Sequence, residues 1–133
     1  MAAFLTVSGC HDTTEAESAR ARWAANQPAA YVFTMKRVCF CGDIRAVVVS
    51  VRNGSVESRK YEDTGADVPG TFSALYPAVE GLFAIVNDAV ARKAESIQAT
   101  YDPSRGFPVQ IDITNMRNAA DDGLSVTVRD FKP

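Results

Sequence analysis

The sequence has a single histidine, His11, close to its N-terminus. A Ser-His-Asp or Cys-His centre would have to recruit that residue from what reads as a tether. Zinc sites built on two or three histidines are excluded. There is no Gly-x-Gly-x-x-Gly, no phosphate-binding loop ending in Lys-Ser/Thr, and no His-Glu-x-x-His. Strong net charge is also lacking: 14 basic side chains face 16 acidic ones, for a formal charge of −2. That near balance leaves no electrostatic footprint for nucleic acid. No segment approaches the roughly 18 apolar residues needed to span a membrane. Cysteine is scarce, with three residues, which excludes a disulfide-dense miniprotein. The chain does have 133 residues, 47% of them hydrophobic, enough for one domain with a real core and too many for disorder.

The odd cysteine count gives the first positive signal. Cys10 ends the segment Met-Ala-Ala-Phe-Leu-Thr-Val-Ser-Gly-Cys, which holds no charged residue. Phe4, Leu5 and Val7 form a short apolar run, and Ser8-Gly9 are small residues of the kind found at a cleavage site. Val7-Ser8-Gly9-Cys10 resembles the lipobox of bacterial lipoproteins. The resemblance implies cleavage before Cys10 and acylation of its thiol. Secretory signals usually run about 15–30 residues with a basic start. Only nine residues precede Cys10 here, and none is basic, so the expectation is that the natural start lies upstream. Residues 1–14 therefore read as a lipoprotein-signal remnant and tether, and residues 15–133 as one α+β domain.

Thr14 and Glu17 form a capping-box pair, and Ala16, Ala19 and Trp23 follow at helical spacing. Pro28 closes this helix, and Trp23 is expected to anchor it on a sheet. Residues 30–41 read as a long strand with Tyr31, Phe33, Met35, Cys39 and Cys41 on one face. Arg37 interrupts that face, so the strand end is expected to be exposed or bulged. Residues 44–51 are rich in β-branched side chains, and Asn53-Gly54 predicts a type I′ hairpin that pairs Arg52 with Ser55 and Val51 with Val56. Residues 62–73 read as a solvated crossover loop, with Glu62, Asp63 and Asp67 as its acidic surface. Residues 77–93 give the clearest helix, with Val79, Leu82, Phe83, Val86, Ala89 and Val90 along one face. Three strands follow, around 97–101, 109–113 and 124–131, and the second and third alternate apolar with polar residues. The order α-β-β-β-α-β-β-β predicts an α+β fold: two layers, a largely antiparallel sheet, and two helices on one face.

Several of these pieces together resemble a known family. Trp23, Tyr31-x-Phe33, Cys39-Phe40-Cys41, Asn53-Gly54, Leu82-Phe83, Tyr101-Asp102-Pro103 with Gly106-Phe107-Pro108, and Asp121 match a bacterial lipoprotein-like family, the domain of unknown function numbered 6174. The similarity covers about residues 17–131. It implies an envelope location and supplies no activity.

Cys39 and Cys41 lie two apart, so on a regular strand their thiols share a face. Their Cα atoms would then be about 7 Å apart, at the upper edge for a disulfide, and a bulge permitted by Gly42 would bring them into range. Three readings stay open: a structural bridge, a thiol-exchange site, or the beginning of a soft-metal site. Asp112, Asn115, Asp121 and Asp122 could offer oxygens to a hard cation, but their spacing fits no EF-hand loop. No carboxylate pair stands out as acid and base.

The expected function is that of a lipid-anchored domain of the bacterial cell envelope, facing the periplasm or exterior. It would be a non-enzymatic binding or assembly module with no cofactor. Its partners would be the membrane, through a lipid on Cys10, and an envelope protein, with no nucleic acid. The candidate partner-binding residues are Tyr101, Asp102 and Phe107, with Phe107 preferred as a core plug over an exposed anchor. The alternative is a thiol-redox or metal-handling protein using Cys39 and Cys41.

Overall fold

A computed structural model describes residues 13–39, 44–115 and 123–133. Cys10, His11, Cys41, Gly42, Asp121 and Asp122 lie outside the described residues. The described elements are α1 (Thr13–Asn26), β1 (Ala30–Val38), β2 (Val47–Arg52), β3 (Ser55–Tyr61), a 3-10 helix (Gly70–Leu75), α2 (Val79–Ala91), β4 (Ser96–Tyr101), β5 (Pro108–Thr114) and β6 (Gly123–Lys132). The strands form one six-stranded sheet in the order β3-β2-β1-β6-β5-β4, antiparallel at every pairing. The fold is the predicted α+β arrangement.

Period-2 alternation divides the sheet into a core face and a solvent face. The core face carries Tyr31, Phe33 and Met35 of β1, Val47, Val49 and Val51 of β2, Ile111 and Ile113 of β5, and Val126 and Val128 of β6. Both helices cover this face. From α1 come Ala19 and Trp23, and from α2 come Val79, Leu82, Phe83, Val86 and Ala89. Val90, expected on the same helical face, is 37% exposed because α2 ends one residue later. The solvent face holds a polar network. Ser125 Oγ donates to Asp112 Oδ1 at 2.8 Å, Gln110 Nε2 reaches both Asp112 oxygens, and Thr127 Oγ1 donates to Gln110 Oε1.

The Asn53-Gly54 hairpin forms with the predicted register, Arg52 opposite Ser55 and Val51 opposite Val56. Both turn residues have positive φ, 51° and 81°, as a type I′ turn requires. β1 ends one residue past Arg37, at Val38, which is 54% exposed, so the strand end is exposed as expected and falls short of the expected residue 41. Arg37 itself is still paired, opposite Val126, with Val38 opposite Ser125. The half-buried Arg37 side chain crosses the core face and donates from Nη1 to the Leu75 carbonyl at 3.1 Å. Burial pushes its pKa down, with the electrostatic effect of Tyr76 opposing the shift. Arg59 of β3 does the same at the next carbonyl, that of Tyr76, at 2.6 Å. Two guanidinium groups thus pin the end of the 3-10 helix, where the chain must turn into α2.

The stretch from Glu62 to Ser73 is more ordered than a solvated crossover. It folds back along the outer edge of β3, where Val68 N donates to the Arg59 carbonyl and Asp67 bridges to Lys60. The backing covers one exposed sheet edge, a place where strands otherwise pair with other chains. The acidic residues are placed opposite cations: Asp63 with Arg45 at 2.8 Å, Asp67 with Lys60 at 2.7 Å, and Glu62 with Arg129 at 2.5 Å.

A cleft between β5 and β6

The segment Asp102–Phe107 joins β4 to β5 as a tight turn built on its own aspartate. Asp102 Oδ2 accepts from the backbone amides of Ser104 at 3.1 Å and Arg105 at 2.6 Å. Asp102 N donates to the Phe107 carbonyl, and Gly106 N donates to the Asp102 carbonyl. This is the Asx geometry that makes Asp a turn residue. Gly106 has φ +90°, and a Cβ placed on it would lie 2.1 Å from the Ala19 carbonyl oxygen. The turn therefore seats directly against the α1 backbone, an approach open only to glycine.

Next to this turn the sheet opens. The β5–β6 ladder runs from Thr114–Gly123 to Gln110–Thr127 and stops there, while β6 stays paired with β1 as far as Lys132. Two bulges produce the split. On β5, Tyr101 pairs with Pro108 and Thr100 with Gln110, which leaves Val109 as an extra residue. On β6, Thr34 pairs with Arg129 and Val32 with Lys132, so β6 carries one residue more than β1. Asp130 takes the positive φ, 55°, that marks such a bulge. Pro108 also lacks the N–H needed to continue the ladder towards β6. Neighbouring strands that bulge at the same end diverge, because each bulge bends its own strand and raises its twist.

The gap is a cleft of about 580 Å³. That lies within the size range of small-molecule sites. Its base is Phe107, Val109, Val128 and Phe131, and its rim is Asp102, Ser104, Arg105, Arg129 and Asp130. The base is rigid. Phe131 stacks on Phe107 at 4.4 Å and on Tyr31 at 5.3 Å, and Trp23 meets the edges of all three rings. The bulge at Asp130 puts Phe131 there, since unbroken alternation from Val126 and Val128 would turn it to solvent.

The rim charges are mostly engaged. Arg129 donates to Asp130 at 2.6 Å and to Glu62 at 2.5 Å. With β1 and β2 between β6 and β3, the Glu62 contact draws the guanidinium across the solvent face. Hydrogen bonding to Arg129 holds the Glu62 carboxyl below its usual range, and the two carboxylates push Arg129 up. Arg105 lies over the Phe131 ring at 5.5 Å and donates from Nη1 to the Asn26 carbonyl at 3.3 Å.

The structure thus separates the three residues expected to bind a partner. Asp102 and Phe107 both line the cleft, and Phe107 is 6% exposed, so it plugs the core from below. Tyr101 points away. It stacks on Phe83 at 6.0 Å, and burial pushes its hydroxyl pKa up to about 12, reinforced by Glu15. Cys39 follows β1 and is half-buried. Asp112 is held within the Gln110–Ser125 network, and Asn115 accepts from Arg92. Sequence reasoning missed Arg105 and the whole β6 wall. The available signal was the parity break between Val128 and Phe131.

The family model for a family of unknown function, DUF6174, matches residues 15–133. The chain belongs to the DUF6174 family. No curated protein and no solved structure matches it. The DUF6174 match takes in α1 from residue 15, α2 and the six described strands, so the cleft lies wholly within the family's region. No helix among the described residues of this DUF6174 chain is long and apolar enough to cross a membrane.

Proposed function

We propose that this DUF6174 domain is a non-enzymatic binding module of the bacterial envelope that receives its ligand in the β5–β6 cleft. One observation carries the reading: a cleft of about 580 Å³ with an aromatic base and a polar rim, opened where β5 and β6 both bulge at the same end. Bulges interrupt pairing at a cost and recur where a strand is re-aimed beside a functional site. A preformed, rigid base lowers the ordering cost of binding.

The anchoring part of the reading rests on Val7-Ser8-Gly9-Cys10, with a lipid on Cys10 tethering the domain to the membrane. Mass spectrometry of the native protein is expected to find an acylated N-terminal Cys10; an intact, unmodified thiol there would overturn this part. With Cys10 acylated, Cys39 and Cys41 remain as an even pair, and a bridge between them suits an oxidising compartment. The bridge predicts no free thiol on Cys39 or Cys41 in the native protein, and two alkylated thiols would refute it.

The cleft itself is tested by closing it. Ser104→Trp sets a large ring on the exposed rim, away from the core. In a saturation-transfer NMR fragment screen, hits on the native chain are expected to disappear with this variant. Hits that persist unchanged would place binding elsewhere and overturn the reading.

A further inference from the structure

We infer that the β5–β6 cleft takes a small monocarboxylate with a short apolar body, and that Arg105 is the group that receives the carboxylate. The inference rests on the cleft reading above and adds the class of ligand.

The argument is one of hydrogen-bonding capacity. Among the described residues, four charged side chains line the cleft. Asp102 accepts two backbone amides of its own turn. Asp130 and Arg129 are joined to each other, and Arg129 also to Glu62. Arg105 is different. A guanidinium has five N–H donors in a planar fork. Arg105 uses one of them on a single neutral acceptor, the Asn26 carbonyl at 3.3 Å. No carboxylate among the described residues pairs with it. Its Cζ lies over the Phe131 ring, 5.5 Å from the centroid, which holds the group at the cleft without neutralising it. The fork geometry matches a carboxylate bidentately. The Ser104 side chain lines the cleft beside it and adds a hydroxyl donor.

Charge count narrows the anion. The lining carries two Arg and two Asp, so it is formally balanced. A dianion such as a phosphate monoester would meet Asp102 and Asp130 with no second free cation among the described lining residues to offset them. A monoanion needs only Arg105. The base supplies the other half of the ligand. Val109 and Phe131, both half-buried, offer an apolar floor to a short chain once the carboxylate is anchored on the rim, with Phe107 and Val128 buried behind them.

The experiment is an amide-resolved NMR titration of the whole chain with three matched probes: hexanoate, 1-hexanol and hexylammonium. The same titration is run on Arg105→Gln, with the dispersion of the unliganded spectrum showing that the variant is folded. Hexanoate is expected to shift the amides of Ser104–Phe107 and Val128–Phe131, and to bind roughly tenfold or more tightly than hexanol, the weight of a charge-assisted hydrogen bond. Arg105→Gln should bring hexanoate down to the hexanol level. Equal binding of hexanoate and hexanol at the cleft, or no effect of Arg105→Gln, would overturn the carboxylate inference and leave the cleft reading standing. Tightest binding by hexylammonium would overturn it too. Shifts from all three probes that fall only outside the cleft would overturn the cleft reading itself.

Discussion

Substituting Gly106 by Ala tests whether the Asp102–Phe107 turn is seated on α1 as described. Two separate penalties are built into that position. The backbone has φ +90°, a region that costs a residue with a Cβ about 1–2 kcal/mol. The added Cβ would also meet the Ala19 carbonyl oxygen at 2.1 Å and Trp23 N at 2.9 Å. Both neighbours are helix backbone, so no side chain can swing away and relieve the clash. Overpacking of this kind costs about 1–3 kcal/mol. The sum is about 2–5 kcal/mol, a large part of the roughly 5–15 kcal/mol that holds a domain together. At about 4 °C per kcal/mol for a chain of this size, the expected fall in Tm is about 8–20 °C. Gly65 is the internal control. It has φ +75° with nothing within 4 Å, so Gly65→Ala should show the backbone penalty alone. Urea and thermal unfolding are read from the single tryptophan, Trp23, whose side chain is buried against the same turn. If Gly106→Ala is no more destabilising than Gly65→Ala, the turn does not touch α1, and the wall of the cleft it forms is misplaced.

Other consequences are open to measurement. Tyr31→Phe removes the hydroxyl that accepts from Val79 N at 3.1 Å at the start of α2, leaving a buried amide unsatisfied; the expected loss is about 1–3 kcal/mol in urea unfolding. Desolvation raises the Tyr31 pKa to about 12, so ultraviolet titration should find this hydroxyl neutral well past the usual tyrosine range. Glu62 has its pKa lowered, mainly by the hydrogen bond from Arg129. A lowered pKa means that its contribution to stability is present above the unfolded value of 4.5 and is lost as pH falls through the folded value. Carboxyl carbon NMR should therefore see Glu62 titrate below 4.5, and Arg129→Gln should return it towards that value.

What could be read from the sequence was local. The 3.6-residue spacing of Val79, Leu82, Phe83 and Val86 names its own element, because each residue's role follows from neighbours in the chain. Asn53-Gly54 sets its hairpin for the same reason, since few other dipeptides tolerate positive φ at both turn positions. Arg37 shows where this reasoning stops. A cation on an apolar face marks the strand end, one residue later at Val38, but not its own partner, a carbonyl 38 residues away. The order in residues 62–73 was hidden likewise, since it comes from the edge of β3 and not from the loop's own composition. The cleft lies between these cases. Asp102 and Phe107 stand out in a Tyr-Asp-Pro and Gly-Phe-Pro frame, but the opposite wall depends on one inserted residue. Alternation through Val126 and Val128 puts position 130 inside, and the aromatic ring arrives at 131 instead. That mismatch is a bulge signature, and only the pairing with β1 shows that it parts β6 from β5.

The most direct test of the central claim is a residue-resolved map of where small ligands meet the domain, from amide shifts of the full chain across a fragment library. The cleft account predicts that shifts gather on two short segments distant in sequence, Asp102–Val109 and Val128–Phe131. A map centred on the solvent face of the sheet, at Gln110, Asp112, Ser125 and Thr127, would contradict it.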